Sequence, residues 1–153
     1  MKNAILLLLI CATTVSFAQK AEEDAVRMAI DNFFIGFHQK DRVIMENAVS
    51  KDVVMQTIGK NREGKIIVKT EVYDDFINSI IAIPEESTYE EKLLDYTVQV
   101  DGDMAHVWTP YEFWYNKEFS HCGVNSIQLV KLDGKWKIVY LIDTRRKENC
   151  VKE

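Results

Sequence analysis

Two Asp-Gly pairs in the second half of the chain, Asp101-Gly102 and Asp133-Gly134, each stand between runs of alternating apolar residues. No other feature restricts the fold as much. A two-residue β-hairpin turn needs positive φ at both central positions, which Asp tolerates and Gly adopts freely. The segments Leu93–Val100 and Met104–Tyr115 are therefore predicted to pair, as are Val124–Leu132 and Lys135–Asp143. Asn116-Lys117-Glu118 supplies a third reversal, so the C-terminal half reads as four long antiparallel strands.

The N-terminal half has a different period. Val26, Ile30, Phe33, Phe34 and Phe37 recur at the spacing of one helix face over residues 21–38, with Glu22, Glu23 and Asp24 suited to the first turn. A shorter helix follows, with Asp41 as N-cap and Ile44, Met45 and Ala48 turned inward. Val53–Ile58 and Lys65–Lys69 are short strands around a Gly59–Gly64 turn region. Thr70 is expected to cap a third helix with Val72, Tyr73, Phe76, Ile77, Ile80 and Ile81 on its apolar face, stopped by Pro84. The order ααββαββββ predicts an α+β domain, helices layered on an antiparallel sheet.

Residues 1–18 read as a secretory leader: Lys2, an apolar run from Ala4 to Ala12, and Ser16-Phe17-Ala18 as a small-x-small site cleaved before Gln19. The run is too short to span a bilayer, and Cys11 follows Ile10 where a lipoprotein leader would want a small residue. One domain, residues 19–153, is expected to be released outside the cytoplasm, secreted or periplasmic, with no membrane attachment. Apolar residues at 47% and charged residues at 28% exclude disorder. The net charge of −5 becomes one unit more negative without Lys2, and no basic stripe is interleaved with aromatics, so nucleic acid is a poor partner. Arg145-Arg146-Lys147 is a solvated cluster beside Asp143 and Glu148. Two cysteines remain, Cys122 and Cys150. The register of the last hairpin puts Cys122 opposite Arg145, and Lys147–Asn149 can turn the tail back, which predicts a disulfide; the alternative is a buried free thiol and a frayed tail.

The element order, Phe33-x-x-x-Phe37-x-x-x-Asp41 at the first helix junction and Asp133-Gly134-Lys135-Trp136-Lys137-Ile138 at the last hairpin together resemble the nuclear transport factor 2-like superfamily, also called SnoaL-like or cystatin-like. The stretch Tyr111–Cys150, with His121-Cys122-Gly123-Val124-Asn125 and Asp143-Thr144-Arg145-Arg146, is similar to exported bacterial members grouped as lumazine-binding proteins. The resemblance implies a cone: three helices inside a curved sheet, with a cavity open at one end. It implies no single function, since the superfamily holds isomerases, dehydratases, cyclases, hydrolases and non-enzymatic carriers.

Hairpin register says which side chains line such a cavity. With Asp133-Gly134 at the turn, Leu129 pairs with Ile138, Ile127 with Tyr140, and Asn125 with Ile142. Alternation places Leu129, Ile127, Asn125, Gly123 and His121 on one face. The other hairpin puts Thr109, Tyr111, Phe113 and Tyr115 on the same side, unless a bulge near Pro110 turns Trp108, Glu112 and Trp114 inward instead. The expected pocket is Tyr111, Phe113, His121 and Asn125, with Tyr140 deeper. Individually the aromatics also fit plain core packing, whereas a buried Asn125 amide needs a partner. Gly123 opposite Tyr111 either leaves space open or is covered by that ring.

His121 alone among the histidines is a candidate for acid–base chemistry; His38 reads as solvated or capping its helix, and His106 as outward-facing. Asp143 has the parity opposite to Tyr140 and is expected to face away. Glu85-Glu86 and Glu90-Glu91 read as a solvated connection. No spacing of metal ligands, phosphate loop or serine nucleophile elbow occurs, so neither metal nor cofactor is expected. Three functions remain in order. The first is a module binding a small apolar or aromatic molecule. The second is an isomerase, dehydratase or hydrolase using His121, and the third a structural module. Val139 and Leu141 make both faces of the last strand apolar, which points to a homodimer through the outer sheet face.

Overall fold

The computed structural model describes residues 2–150, with side chains from Ala18 onward. The stripe of residues 26–37 lies on α1 (Lys2–Gln39), where Val26 and Ile30 are fully buried and the three phenylalanines nearly so. The expected leader and its cleavage before Gln19 rest on residues 1–17, whose side chains lie outside the described residues. Lys40, at φ +57°, ends α1, and Asp41 starts α2 (Arg42–Ala48), its carboxylate accepting the Ile44 N–H at 3.0 Å as an N-cap. β1 (Val49–Lys60) and β2 (Ile66–Glu71) form the expected hairpin. α3 (Tyr73–Ile81) buries Ile77 and Ile80. Thr70 does not cap it: the residue is still in β2, bonded to Gln56, and Val72 holds the cap position without a side-chain bond.

The remaining strands are five, not four: β3 (Tyr89–Leu93), β4 (Thr97–Asp101), β5 (Met104–Tyr115), β6 (Glu118–Leu132) and β7 (Lys135–Thr144). The expected strand over 93–100 is broken after Leu93. β4 pairs with the first half of β5 and β3 with the second half. Pro110 sits where the partner changes, so its missing N–H falls in the gap between the two, while its carbonyl takes the Leu94 N–H at 2.9 Å. No bulge forms there. The sheet order is β2-β1-β7-β6-β5-β3, and β1 runs parallel to β7, so the sheet is mixed rather than purely antiparallel.

Two one-residue bulges decide which side chains face the helices. The β5–β6 turn is the two residues Asn116-Lys117, both at positive φ, followed by an extra residue at Ser120. Short turn plus bulge give the register that a three-residue reversal would give, so Tyr111 pairs with Gly123 as expected. In β7 the extra residue is Val139, between the pairs Leu129–Ile138 and Gln128–Tyr140. It reverses the parity of everything beyond, because side chains alternate strictly along a strand. Ile127 therefore pairs with Leu141, and Asn125 with Asp143. Leu141 and Asp143 point inward; Tyr140 points outward. The apolar run on both faces of β7 thus spans a bulge and does not follow strict alternation.

Beyond β7 the chain continues beside β6. Arg146 and Cys122 exchange two backbone hydrogen bonds of 2.9 Å, one residue beyond the expected Arg145 position, and Cys150 closes a disulfide onto Cys122.

Candidate functional site

The helices stand on the concave side of the sheet and leave a cavity of about 300 Å³ open at one end. One wall is aromatic, with Phe33, Phe34 and Phe37 from α1 and Phe76 from α3, and Phe113 adds a ring from the sheet strand β5. Adjacent and i+3 positions on α1 bring Phe33, Phe34 and Phe37 into a run of edge-to-face contacts at 5.3 and 6.0 Å.

The opposite wall is the sheet, where register sorts the residues into cross-strand rows. Met55, Leu141, Ile127 and Val107 form one row across β1, β7, β6 and β5; the next row on the same face is Thr57, Asp143, Asn125 and Thr109. The first is wholly apolar and the second wholly polar, yet Thr109, Asn125 and Asp143 are no more than 6% exposed. Buried polar groups need partners. Asp143 accepts from the Tyr111 hydroxyl at 3.0 Å and from Arg145 Nε at 2.9 Å. The Asn125 amide nitrogen donates to Glu91 Oε1 at 2.8 Å, bridging β6 to β3 across β5. Thr57 Oγ1 is buried with no partner among the described residues.

Glu91 lies elsewhere than the sequence pattern suggests. Instead of a solvated connection it occupies β3, and its carboxylate borders the cavity. Burial pushes its pKa up to about 7, against the pull of the Asn125 hydrogen bond, and the charge of Asp143 adds to the rise. It therefore changes protonation near neutral pH. The Tyr111 phenol is driven far above its ordinary range by burial and by the charges of Asp143 and Glu91. Its ring lies over Gly123, where a Cβ would come within 2.6 Å of it and 1.8 Å of the Thr144 carbonyl.

His121 stacks on Phe113 with centroids 5.0 Å apart and meets the Tyr111 ring edge-on at 5.8 Å. Burial, helped by the positive charges of Arg145 and Lys147, lowers its pKa, so the ring is neutral at pH 7. His38 neither caps α1 nor stands in solvent: its Nε2 accepts the Glu91 N–H at 2.9 Å and fastens β3 to the helix. His106 faces outward to Ser126.

Of the expected pocket, Tyr111, Phe113, His121 and Asn125 all line the cavity. Tyr140 does not, since the Val139 bulge sends its hydroxyl to Gln56 Oε1 at 2.6 Å on the outer face. Asp143 is the converse, drawn inward by the same bulge. A signal for Glu91 was present in Tyr89-x-Glu91-x-Leu93, a carboxylate between two apolar residues of one parity. Among the described residues, no group of acids, histidines and cysteines is placed to hold a metal ion.

An open α+β cone with a half-apolar, half-polar interior is the class these features define. Its fold is that of the nuclear transport factor 2-like proteins. A candidate scytalone dehydratase from Novosphingobium aromaticivorans superposes with a TM-score of 0.66 at 12% identity, covering 90% of this chain and 93% of its own. A candidate dehydratase of that family from Streptomyces avermitilis gives 0.63 at 14% identity, over 84% and 98% of the two chains. A nuclear transport factor 2-like protein from Cytophaga hutchinsonii gives 0.64 at 14%, over 80% and 97%. At these identities the likeness is one of fold. No protein-family model and no curated protein matches the sequence.

Proposed function

We propose that the cone binds a small, largely apolar or aromatic molecule, with its ring against the phenylalanine wall and its polar end at Asn125, His121 and Thr57. The observation that carries this reading is the change from apolar Met55 and Leu141 to polar Thr57, Asn125 and Asp143, one pleat on, inside one cavity of about 300 Å³. Binding sites combine an apolar lining with a few convergent polar groups in this way. Native mass spectrometry of the purified protein tests it: a small-molecule adduct is expected on the wild type and lost in Asn125→Ala. A bare protein after incubation with aromatic probes contradicts it.

Acid–base catalysis of the isomerase, dehydratase or hydrolase type is the second reading. A carboxylate titrating near neutrality and a neutral histidine, on either side of Phe113 in one cross-strand row, favour it, because catalytic groups need pKa values close to the working pH. Incubating the recovered molecule with the protein in heavy water should then place deuterium on it, and Glu91→Gln should stop the exchange.

The leader and the disulfide support export. No helix among the described residues is long and apolar enough to cross a membrane. The exported form should begin at Gln19. Trp108, Met104 and Val54, exposed on the outer face, support pairing with a second copy; sedimentation at micromolar concentration tests that.

A further inference from the structure

We infer that the cone selects an aromatic molecule with a cationic polar end, an arylalkylammonium or a protonated nitrogen heterocycle, over its anionic counterpart, and that Glu91 determines this choice. The inference rests on the cone being a site for an aromatic ligand.

The argument is one of charge. Three carboxylates border the cavity, Glu71, Glu91 and Asp143, against one guanidinium, Arg145. Two of the acids already have cations: Asp143 holds Arg145 at 2.9 Å, and Glu71 holds Lys69 at 2.8 Å. Among the described residues Glu91 has none; its carboxylate accepts instead from the neutral Asn125 amide. A ligand carboxylate entering beside it would place two anions together where little water screens them, whereas an ammonium would supply the missing counter-charge. Arg145 is the obvious rival anchor for an anion, but its Nε is engaged by Asp143 and half of its side chain stands in solvent. Phe113, paired with Glu91 across β3 and β5, favours the same choice, since aromatic faces attract cations and not anions. Thr57 Oγ1, buried and without a partner in the polar row, offers an acceptor to a ligand N–H.

Proton linkage sharpens the expectation. The groups facing Glu91 are Asp143 and Arg145 from the end of β7, Tyr111 from β5, His121 from β6, Glu71 from β2 and His38 from α1. Both histidines are held neutral by burial, and the Tyr111 phenol stays protonated, so Glu91 is the group that changes charge near pH 7. A cation binds the ionised form. Its affinity should therefore rise with pH through the Glu91 midpoint, by about tenfold between about pH 6 and about pH 8.

Calorimetric titration of the purified protein with naphthylmethylamine, naphthylmethanol and naphthoate reads this directly. We expect the amine to bind at least tenfold tighter than naphthoate at about pH 8, with the alcohol between them and its affinity flat with pH. Glu91→Gln, which keeps an acceptor for Asn125, should equalise amine and alcohol and flatten the pH profile. Naphthoate binding as tightly as the amine, or a preference that survives Glu91→Gln, would overturn the inference and leave the cone reading standing. The wild-type pH profile decides the matter should the variant fold poorly, and a flat or falling amine profile overturns it. Failure of all three probes to bind would overturn the cone reading itself.

Discussion

The two adjacent rows on the concave face of the sheet are one pleat apart and do opposite things. Met55, Leu141, Ile127 and Val107 are buried by the helices and satisfied by contact alone. Asp143, Asn125 and Thr109 are buried almost as deeply and Thr57 partly so; all but Thr57 are kept by specific bonds to Glu91, Tyr111, Arg145 and, for Thr109, the Pro110 carbonyl. The same strands, in the same register, carry both. What changes is what the helices leave uncovered. Where α1 seats on the sheet, the cheapest solution is hydrocarbon; where the phenylalanines stand off and leave space, the sheet presents polar groups. Folding is concentrated in one row and recognition in the next.

Substitutions in the two rows should therefore separate stability from binding. The largest effect is expected from Ile127→Ala, a fully buried side chain: about 4 kcal/mol lost in urea unfolding, as for other large-to-small core changes. Removing the disulfide with Cys150→Ser comes next. It closes a 28-residue separation, worth roughly 3.5 kcal/mol on the chain-entropy model. It also releases the segment that bears Arg145, so ligand retention should fall along with stability.

A pH effect follows from Glu91. Its pKa is raised on folding, so its contribution favours the folded state below about 4.5 and is lost as pH rises through about 7. Relative to Glu91→Gln, the wild type should lose up to about 3 kcal/mol across that interval. Parallel denaturant midpoints for the two proteins at acid and alkaline pH would contradict the burial of this carboxylate. The smallest stability change belongs to Asn125→Ala, about 1–2 kcal/mol, with loss of the bound molecule out of proportion to that cost.

How far the rows could be seen beforehand depends on what each strand hides. The Asp-Gly turns and strict alternation in β5 and β6 put Tyr111, Phe113, His121 and Asn125 on one face, and the disulfide followed from the same register. β7 concealed its parity. Ile138-Val139-Tyr140-Leu141-Ile142 is apolar throughout, so a one-residue bulge leaves no trace in the pattern, and Tyr140 and Asp143 exchanged places unseen. The three-residue reversal expected after Tyr115 was a different turn whose bulge restored the register. β3 is short and charged at Glu90, Glu91 and Lys92, which read as a loop until β5 supplied a partner strand. The parallel β1–β7 pairing is non-local, and no turn residue encodes it.

The central claim is that the polar row is where a ligand ends. Amide chemical shifts of the labelled protein, titrated with naphthylmethanol, test it most directly. The account predicts shifts concentrated at Thr57, His121, Asn125 and Asp143, with Leu129 and Ile138 at the closed end unmoved. Shifts confined to outward residues such as Trp108 and Gln128, or none at saturating probe, would contradict it.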